Sequence, residues 1–421
     1  IHQNFTGGNI RVKKQEGCEI WLENELRDTV CDWFYWAFCI EGAQGQTLTF
    51  HFQKNRLGYF GPAVSHDLEN WQWLESLRLN HSDQNGFDRN SLERNDPERE
   101  QEHFTYTFGE TESKVYFAHH MLYHPARFLQ FAQRQNLPVK TLCLSRKGRE
   151  IPFTVLKGSA DPDASAHRNA SSGQKKIVLT SRHHACESTG NYIMEGILEE
   201  LCKEPIPGFD IFCVPFVDYD GVVDGDQGKA RAPHDPNRDY EEDKEAIYPA
   251  VKAIRKYIME EKVLFGFDFH SPWHCGGVRD RCFIVQKAKK VLDRLKLFGT
   301  LLEKNMTPRA FGYRHEDDYP PDFGWNHSDD PTFANFVMDM AGTKLPTETT
   351  EPMAGSAEPM AGSAESVASS AELAASSAEL AFSLETAYFG SPSNPFSPDD
   401  VMENGRCFAR ALREYIKVRK I

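Results

Sequence analysis

From about residue 115 onward, short apolar runs alternate with helical segments, and this rhythm limits the fold more than any other feature of the chain. Residues 177–180 read as a strand, 189–201 as a helix, 209–216 as a strand and 243–260 as a helix. Strands at 263–269 and 282–285 and a helix over 289–303 continue the series. Strands interleaved with helices build a parallel or mixed sheet covered by helices, and such sheets bind ligands beyond the carboxyl ends of their strands. The first hundred or so residues lack the rhythm. Residues 32–40 are dense in aromatics, and 47–52 alternate polar and apolar before the turns near Gly58 and Gly61-Pro62. That pattern is antiparallel β structure. The polar run 80–102 reads as exposed loops. With 421 residues the chain is long enough for two domains,. The change of texture sets the expected division: an N-terminal β domain over 1–115 and an α/β domain over 116–421.

Within the second domain, Glu recurs every seven residues from Glu351 to Glu379. A coiled coil requires two apolar positions per heptad, and only one recurs here, as Met353, Met360 and Val367,. Pro352, Pro359, Gly355 and Gly362 also oppose a helix,. The composition of 351–379 predicts a disordered insertion.

A net charge of -14 speaks against general affinity for nucleic acid or an anionic membrane, both of which need clustered Lys and Arg,. No apolar run reaches the roughly 18 residues a spanning helix needs, and residues 1–12 are polar and Gly-rich, without a signal-peptide core,. Ten cysteines are scattered with no C-x-x-C pair, which excludes the usual zinc-cluster spacings,. Several lie inside apolar runs, as Cys213 does, in the manner of buried free thiols,. A reducing, cytoplasmic compartment is the expectation. No feature speaks to oligomeric state.

Chemistry-bearing residues gather at the carboxyl ends of the expected strands. His184 and Glu187 follow the 177–180 strand, three apart in the turn before a helix. On 263–269, Phe265, Phe267 and Phe269 alternate onto one face, leaving Asp268 and the following His270 on the other,. Two His and one Glu form the ligand set of a catalytic zinc that keeps one coordination position for water. Such a zinc lowers the pKa of its water towards about 7 and polarises a carbonyl. H-x-x-E by itself is a weak pattern. Its strand-end setting and the distant Asp-x-His give it weight. Residues 228–238 add an Asn and Arg pair suited to gripping a carboxylate, because the guanidinium fork makes two parallel hydrogen bonds,. Leu380, Phe382 and Leu384 alternate, with Glu385 on the opposite face. A buried carboxylate there is costly unless something uses it, and a zinc-bound water is a suitable partner.

In this order the H-x-x-E turn, Asp-x-Asn-Arg, Asp-x-His-Ser and a late Leu-Glu-Thr resemble the carboxypeptidase A-like zinc carboxypeptidases, in particular their cytosolic carboxypeptidase-like branch with its bacterial members. The resemblance spans roughly residues 30–345 and 380–418. It implies a mixed, eight-stranded-type sheet flanked by helices, preceded by an antiparallel β-sandwich domain. It also implies one zinc ion per chain on His184, Glu187 and His270, with Asp235 holding one ligand imidazole from behind. Asn237 and Arg238 would bind a substrate's terminal carboxylate, Arg231 would polarise the scissile carbonyl, and Glu385 would be the general base. Lys229 competes with Arg231 for its role, because the register of the loop is open. Pro236 departs from the usual Asp-x-Asn-Arg, and the active-site tyrosine of classical members has only Tyr313 and Tyr319 as candidates.

The function implied is removal of C-terminal residues from a peptide or protein. Two alternatives keep the same scaffold: a zinc deacylase of small acyl amino acids, and a non-catalytic peptide-binding protein. Other patterns carry less. Residues 218–226 hint at a calcium loop, but the glycine stands at the wrong place and a strand precedes it. His119-His120 and His315-Glu316 read as packing or surface groups, and His183 as a neighbour of the metal rather than a ligand. Ser188 and Ser271 lack the elbow of a serine hydrolase.

Overall fold

The computed structural model describes residues 1–75, 101–159, 174–287, 289–310, 312–343 and 378–421. The heptad insertion, apart from Ala378 and Glu379, and residues 80–100 of the polar run lie outside them. The N-terminal part folds into two four-stranded sheets. Its strands are β1 (Arg11–Glu16), β2 (Glu19–Glu23), β3 (Ala37–Glu41), β4 (Thr47–Gln53), β5 (Ala63–Ser65), β6 (Gln72–Trp73), β7 (Gln101–Thr107) and β8 (Lys114–Ala118). One sheet has the order β1-β2-β4-β7 and the other β3-β8-β5-β6. All pairings are antiparallel except β2 with β4, which run parallel, so the sandwich is not wholly antiparallel as expected. Alternation on β4 turns Leu48, Phe50 and Phe52 inward, where they meet Trp36, Phe104 and Phe117. Trp36 stacks on Phe52 with centroids 4.5 Å apart, and Phe50 meets Phe104 at 4.9 Å. The sandwich runs past residue 115, because β8 continues to Ala118. Glu102, expected in a loop, is buried on β7, where its carboxylate accepts the N–H groups of Asn55, Arg56 and Leu57.

The second part follows as α1 (Pro125–Arg134), β9 (Val139–Leu144), β10 (Glu150–Leu156), β11 (Lys175–Ser181), α2 (Thr189–Lys203), β12 (Phe209–Val214), α3 (Tyr219–Asp224) and α4 (Pro249–Glu260). Then come β13 (Val263–His270), β14 (Phe283–Val285), α5 (Leu292–Asn305), α6 (Phe333–Met340), β15 (Leu380–Glu385) and α7 (Pro398–Arg419). The strands join in the order β14-β15-β13-β11-β12-β10-β9, with the four strands from β15 to β12 parallel and the rest antiparallel. Among the described residues the mixed sheet thus has seven strands, not the eight of the expected type. Helix α4 starts later than the expected residue 243. The Asp239 carboxylate takes the N–H groups of Ile247 and Tyr248, and Tyr248 is extended, so the helix opens only at Pro249,.

The three Phe residues of β13 face α5 and α7, where Phe267 meets Phe298 and Phe408 and Phe269 meets Phe408. On the opposite face, Gly266 lies against Val337 of α6, and Asp268 and His270 share that side. Small residues of the second sandwich sheet, including Ala37, Ala63 and Ala118, belong to the core of the α/β part, so one continuous apolar body joins both parts. Phe396 adds to it by accepting the indole N–H of Trp73 at 2.8 Å. All ten cysteines are free, and among the described residues no helix is long and apolar enough to cross a membrane.

Helices α2 and α7 cross backbone against backbone. A Cβ on Gly405 would lie 2.1 Å from the carbonyl oxygen of Ile193, and one on Gly196 2.0 Å from that of Met402. Gly405→Ala is therefore expected to lower stability by about 3 kcal/mol, since overpacking against rigid backbone outweighs the gain of roughly 1 kcal/mol in helix propensity. Urea unfolding measures the difference, and an unchanged midpoint contradicts so close a crossing.

Candidate metal centre

Three strand ends place the site. His184 and Glu187 lie in the turn between β11 and α2, His270 ends β13, and Glu385 ends β15 directly opposite His270 in the parallel register. The Glu187 carboxylate bridges the two imidazoles, with Oε1 2.9 Å from His184 Nδ1 and Oε2 2.7 Å from His270 Nδ1. One donor atom from each of the three residues lies within 4.8 Å of the others. All three side chains are buried.

The outer nitrogens are held by further carboxylates. Asp235 Oδ1 lies 3.1 Å from His184 Nε2, and Asp268 Oδ2 2.5 Å from His270 Nε2. The second oxygen of Asp268 takes Thr180 Oγ1 at 2.8 Å and His183 Nδ1 at 2.9 Å. His183 Nε2 meets the Tyr240 hydroxyl at 2.8 Å. Both nitrogens of His183 are thus engaged, which makes it a brace beside the cluster. Each imidazole of the cluster presents Nδ1 inward and rests Nε2 on an acidic group, the arrangement that fixes ring orientation in metal sites.

Charge converges here. Burial opposes protonation of His270, yet Asp268 and Glu187 outweigh it and hold the ring well above its ordinary pKa. Burial likewise acts to raise Glu187, but His184, Lys229 and His270 together hold it well below the carboxylate range. A field that favours imidazolium between two carboxylates also favours a divalent cation at the same point. Glu385 differs. Burial pushes its carboxyl up, against His270, and the neighbouring Glu187 adds to the rise. Among the described residues its Oε2 has no hydrogen-bond partner.

His184, Asp235, His270 and Glu385 border a cavity of about 500 Å³ that is also lined by Trp33, Lys229, Asn237, Arg238, Arg279 and Lys287. Arg238 contacts Asp330 at 3.2 Å, and Asn237 Nδ2 lies 3.1 Å from His270 Nε2. Pro236 fits without cost. It opens a single 3₁₀ turn capped by Asp235, whose carboxylate accepts the Asn237 N–H at 2.8 Å, and a first-turn residue needs no N–H of its own.

Arg231 is not brought to the cavity. Its guanidinium is held by Asp28, Asp218 and Asp226, so the expectation that it polarises a substrate carbonyl is corrected. The cation that faces the cluster is Lys229, with Nζ 3.2 Å from His184 Nδ1 and 3.4 Å from Glu187 Oε1. Residues 218–226 hold no calcium-type loop: Asp218 caps the short helix α3. His119 and His120 are fully buried and bond to each other through Nδ1 at 3.0 Å, and His315 pairs with Glu303 at the surface. Of the tyrosine candidates, Tyr319 lines the cavity, whereas Tyr313 donates to Asp318 at 2.9 Å. Lys287, buried on the cavity wall and tied to Asp330 at 3.1 Å, had no signal in the sequence beyond its place after an apolar run.

The chain is similar to known proteins in sequence and in fold. Over 150 residues the chain is 30% identical to cytosolic carboxypeptidase 2 of Homo sapiens, a match covering 33% of this chain and 16% of that protein. An uncharacterized protein of Zymomonas mobilis is 24% identical over 287 residues, covering 64% of this chain and 67% of that one. The metallo-carboxypeptidase of Burkholderia cenocepacia superposes with a TM-score of 0.67 at 15% identity, over 99% of both chains. In sequence the chain is thus similar to part of the cytosolic carboxypeptidases, and in fold to the metallo-carboxypeptidases. A second solved relative in fold, the Pseudomonas aeruginosa metallo-carboxypeptidase in complex with (2-guanidinoethylmercapto)succinic acid, gives a TM-score of 0.67 at 18% identity, over 99% of this chain and 98% of that one. No family model matches. The chain spans only about a sixth of the length of the first curated relatives it matches, 16–17%.

Two consequences follow for stability. Asp268→Ala leaves His183, His270 and Thr180 without their shared acceptor, and breaking a buried pair in this way is expected to cost about 3–5 kcal/mol in urea unfolding. A loss below about 1 kcal/mol contradicts the brace. Burial also pushes the Asp318 carboxyl up to about 7, despite the Ile284 N–H and Tyr313 hydroxyl it accepts. The folded value lies above the ordinary value of about 4, so its stabilising contribution is complete below pH 4 or so and is lost as pH rises through about 7. Asp318→Asn does not ionise, so its stability relative to the parent is expected to rise across that window. Parallel stability–pH profiles contradict this.

Proposed function

We propose that this protein is a zinc-dependent carboxypeptidase that hydrolyses the C-terminal peptide bond of a peptide or protein. The observation that carries the reading is the meeting of the His184–Glu187–His270 cluster, whose two imidazoles line the cavity, with a buried Glu385 oxygen that has no hydrogen-bond partner among the described residues. The donor set fits zinc: two imidazole nitrogens and one carboxylate, each backed by a further hydrogen bond. A zinc ion bound there would make a coordinated water acidic and polarise the scissile carbonyl.

The remaining work falls to the chain's own side chains. Arg238 and Asn237 receive the substrate's terminal carboxylate, the guanidinium through paired hydrogen bonds. Glu385 accepts a proton from the attacking water as its oxygen bonds to the carbonyl carbon, and then delivers that proton to the amine nitrogen as the C–N bond breaks. The upward push on its carboxyl suits a group that must both take and return a proton. Lys229 supplies the positive charge that meets the oxyanion. Asp235 and Asp268 keep both imidazoles in one tautomer. Trp33, from the N-terminal domain, walls one side of the cavity, which favours a peptide chain over a small acyl amino acid.

A panel of C-terminally varied peptides and N-acyl amino acids tests the proposal on the zinc-loaded protein. Expected are release of single C-terminal residues, loss of activity with a chelator, recovery with zinc, and a fall in kcat of about 10²–10⁴-fold in Glu385→Gln with zinc retained. A protein that holds zinc but cleaves no peptide, with Glu385→Gln changing nothing, is a binding protein on this scaffold. Cleavage of acyl amino acids alone identifies the deacylase.

A further inference from the structure

Lys229 sits in a loop, and the N-terminal domain supplies most of what shapes it. The Asp28 side chain is 8% exposed. Its carboxylate accepts the N–H of Gln227 at 3.0 Å and that of Gly228 at 2.7 Å, the two residues immediately before Lys229. Its backbone carbonyl accepts the Ala232 N–H at 3.1 Å, and the Val30 N–H reaches Ala230 O at 3.4 Å. The Gln227 side chain is gripped in turn, donating to the carbonyls of Glu25 and Tyr35 and accepting the Tyr35 N–H. Farther out, the Trp33 ring lies 5.7 Å from the Lys229 ammonium. From the catalytic side, Cys186 N–H meets Gln227 O at 3.2 Å, and a Cβ on Gly228 would stand 2.0 Å from Ala185 N. The loop is thus clamped between the domain junction and the turn that carries His184 and Glu187.

We infer that Asp28 is a positioning residue for catalysis: by holding the backbone of Gln227 and Gly228 it aims the Lys229 ammonium at the oxyanion, so the N-terminal domain takes part in the reaction through Lys229. The inference rests on the role given to Lys229 under the proposed function. A carboxylate accepting two successive N–H groups fixes the Asp226–Gln227 and Gln227–Gly228 peptide planes, which immediately precede the peptide that joins the lysine. Without it, the amine loses its aim before the fold loses its shape. An alternative use of Asp28, as a simple domain tie through Arg231, predicts a different pattern of kinetics.

A double-mutant cycle on the zinc-loaded full chain separates the two. Lys229→Ala is expected to lower kcat about 100-fold, with Asp28→Ala lowering it at least about 10-fold and KM moving less than about 2-fold in either. In the Lys229→Ala background, Asp28→Ala should add less than about 2-fold, because two groups acting through one contact are not additive. Binding gives a second readout. Asp28→Ala should weaken the phosphonate analogue of the best-cleaved peptide in proportion to kcat, and leave both zinc content and affinity for the product amino acid unchanged. Asp28→Asn, which keeps one acceptor oxygen, should fall between the parent and Asp28→Ala, and serves if Asp28→Ala does not fold. Multiplying effects, or equal weakening of phosphonate and product, overturn the inference and leave the role of Lys229 standing. An unchanged kcat in Lys229→Ala overturns that role and the inference with it.

Discussion

The Glu187 carboxylate, set between an imidazole from the turn after β11 and one from the end of β13, is the contact around which the molecule is arranged. Each of its oxygens faces one Nδ1, so neither ring can turn without breaking the cluster. Holding that many ionisable groups away from water is expensive unless every lone pair and N–H is used. The structure meets the requirement outward from the centre. Asp235 and Asp268 take the outer nitrogens, and Thr180, His183 and Tyr240 then satisfy Asp268 and one another. Glu385 is the exception: among the described residues its buried Oε2 has no hydrogen-bond partner,.

The sheet makes the cluster possible. Parallel pairing of β11, β13 and β15 brings three carboxyl ends into one row, and the apolar faces of those strands anchor them to α5 and α7. The N-terminal sandwich is joined to this body through a shared apolar core, through Asp28 and Tyr35 holding Gln227 and Gly228, and through Trp33 at the cavity. Because the loop bearing Lys229 is held from that side, the sandwich is part of the site's architecture rather than an appendage.

Much of this was legible in the sequence where local patterning decides the outcome. The three Phe residues alternating with Asp268 and His270 fixed the inward face of β13, since a strand sends successive side chains to opposite sides. The H-x-x-E turn and the Leu-Phe-Leu run before Glu385 were readable in the same way. What escaped is long-range. Whether Lys229 or Arg231 faced the cavity turned on a loop without periodicity, decided by three acids drawn from residues 28, 218 and 226. Lys287 and Asp330 likewise meet only in three dimensions. The late start of α4 came from a side-chain acceptor, Asp239, competing for backbone N–H groups ahead of Pro249,. The parallel pairing of β2 with β4 also depends on how the chain crosses the sandwich, which alternation does not encode.

Anomalous diffraction at the zinc absorption edge, from crystals of the protein purified with zinc, tests the central claim most directly. Expected is one strong peak per chain, about 2.0–2.2 Å from His184 Nδ1, His270 Nδ1 and a Glu187 oxygen, with Glu385 beside it but not bound to it. A peak elsewhere, or none at full zinc loading, would contradict the proposal that this cluster is a metal centre.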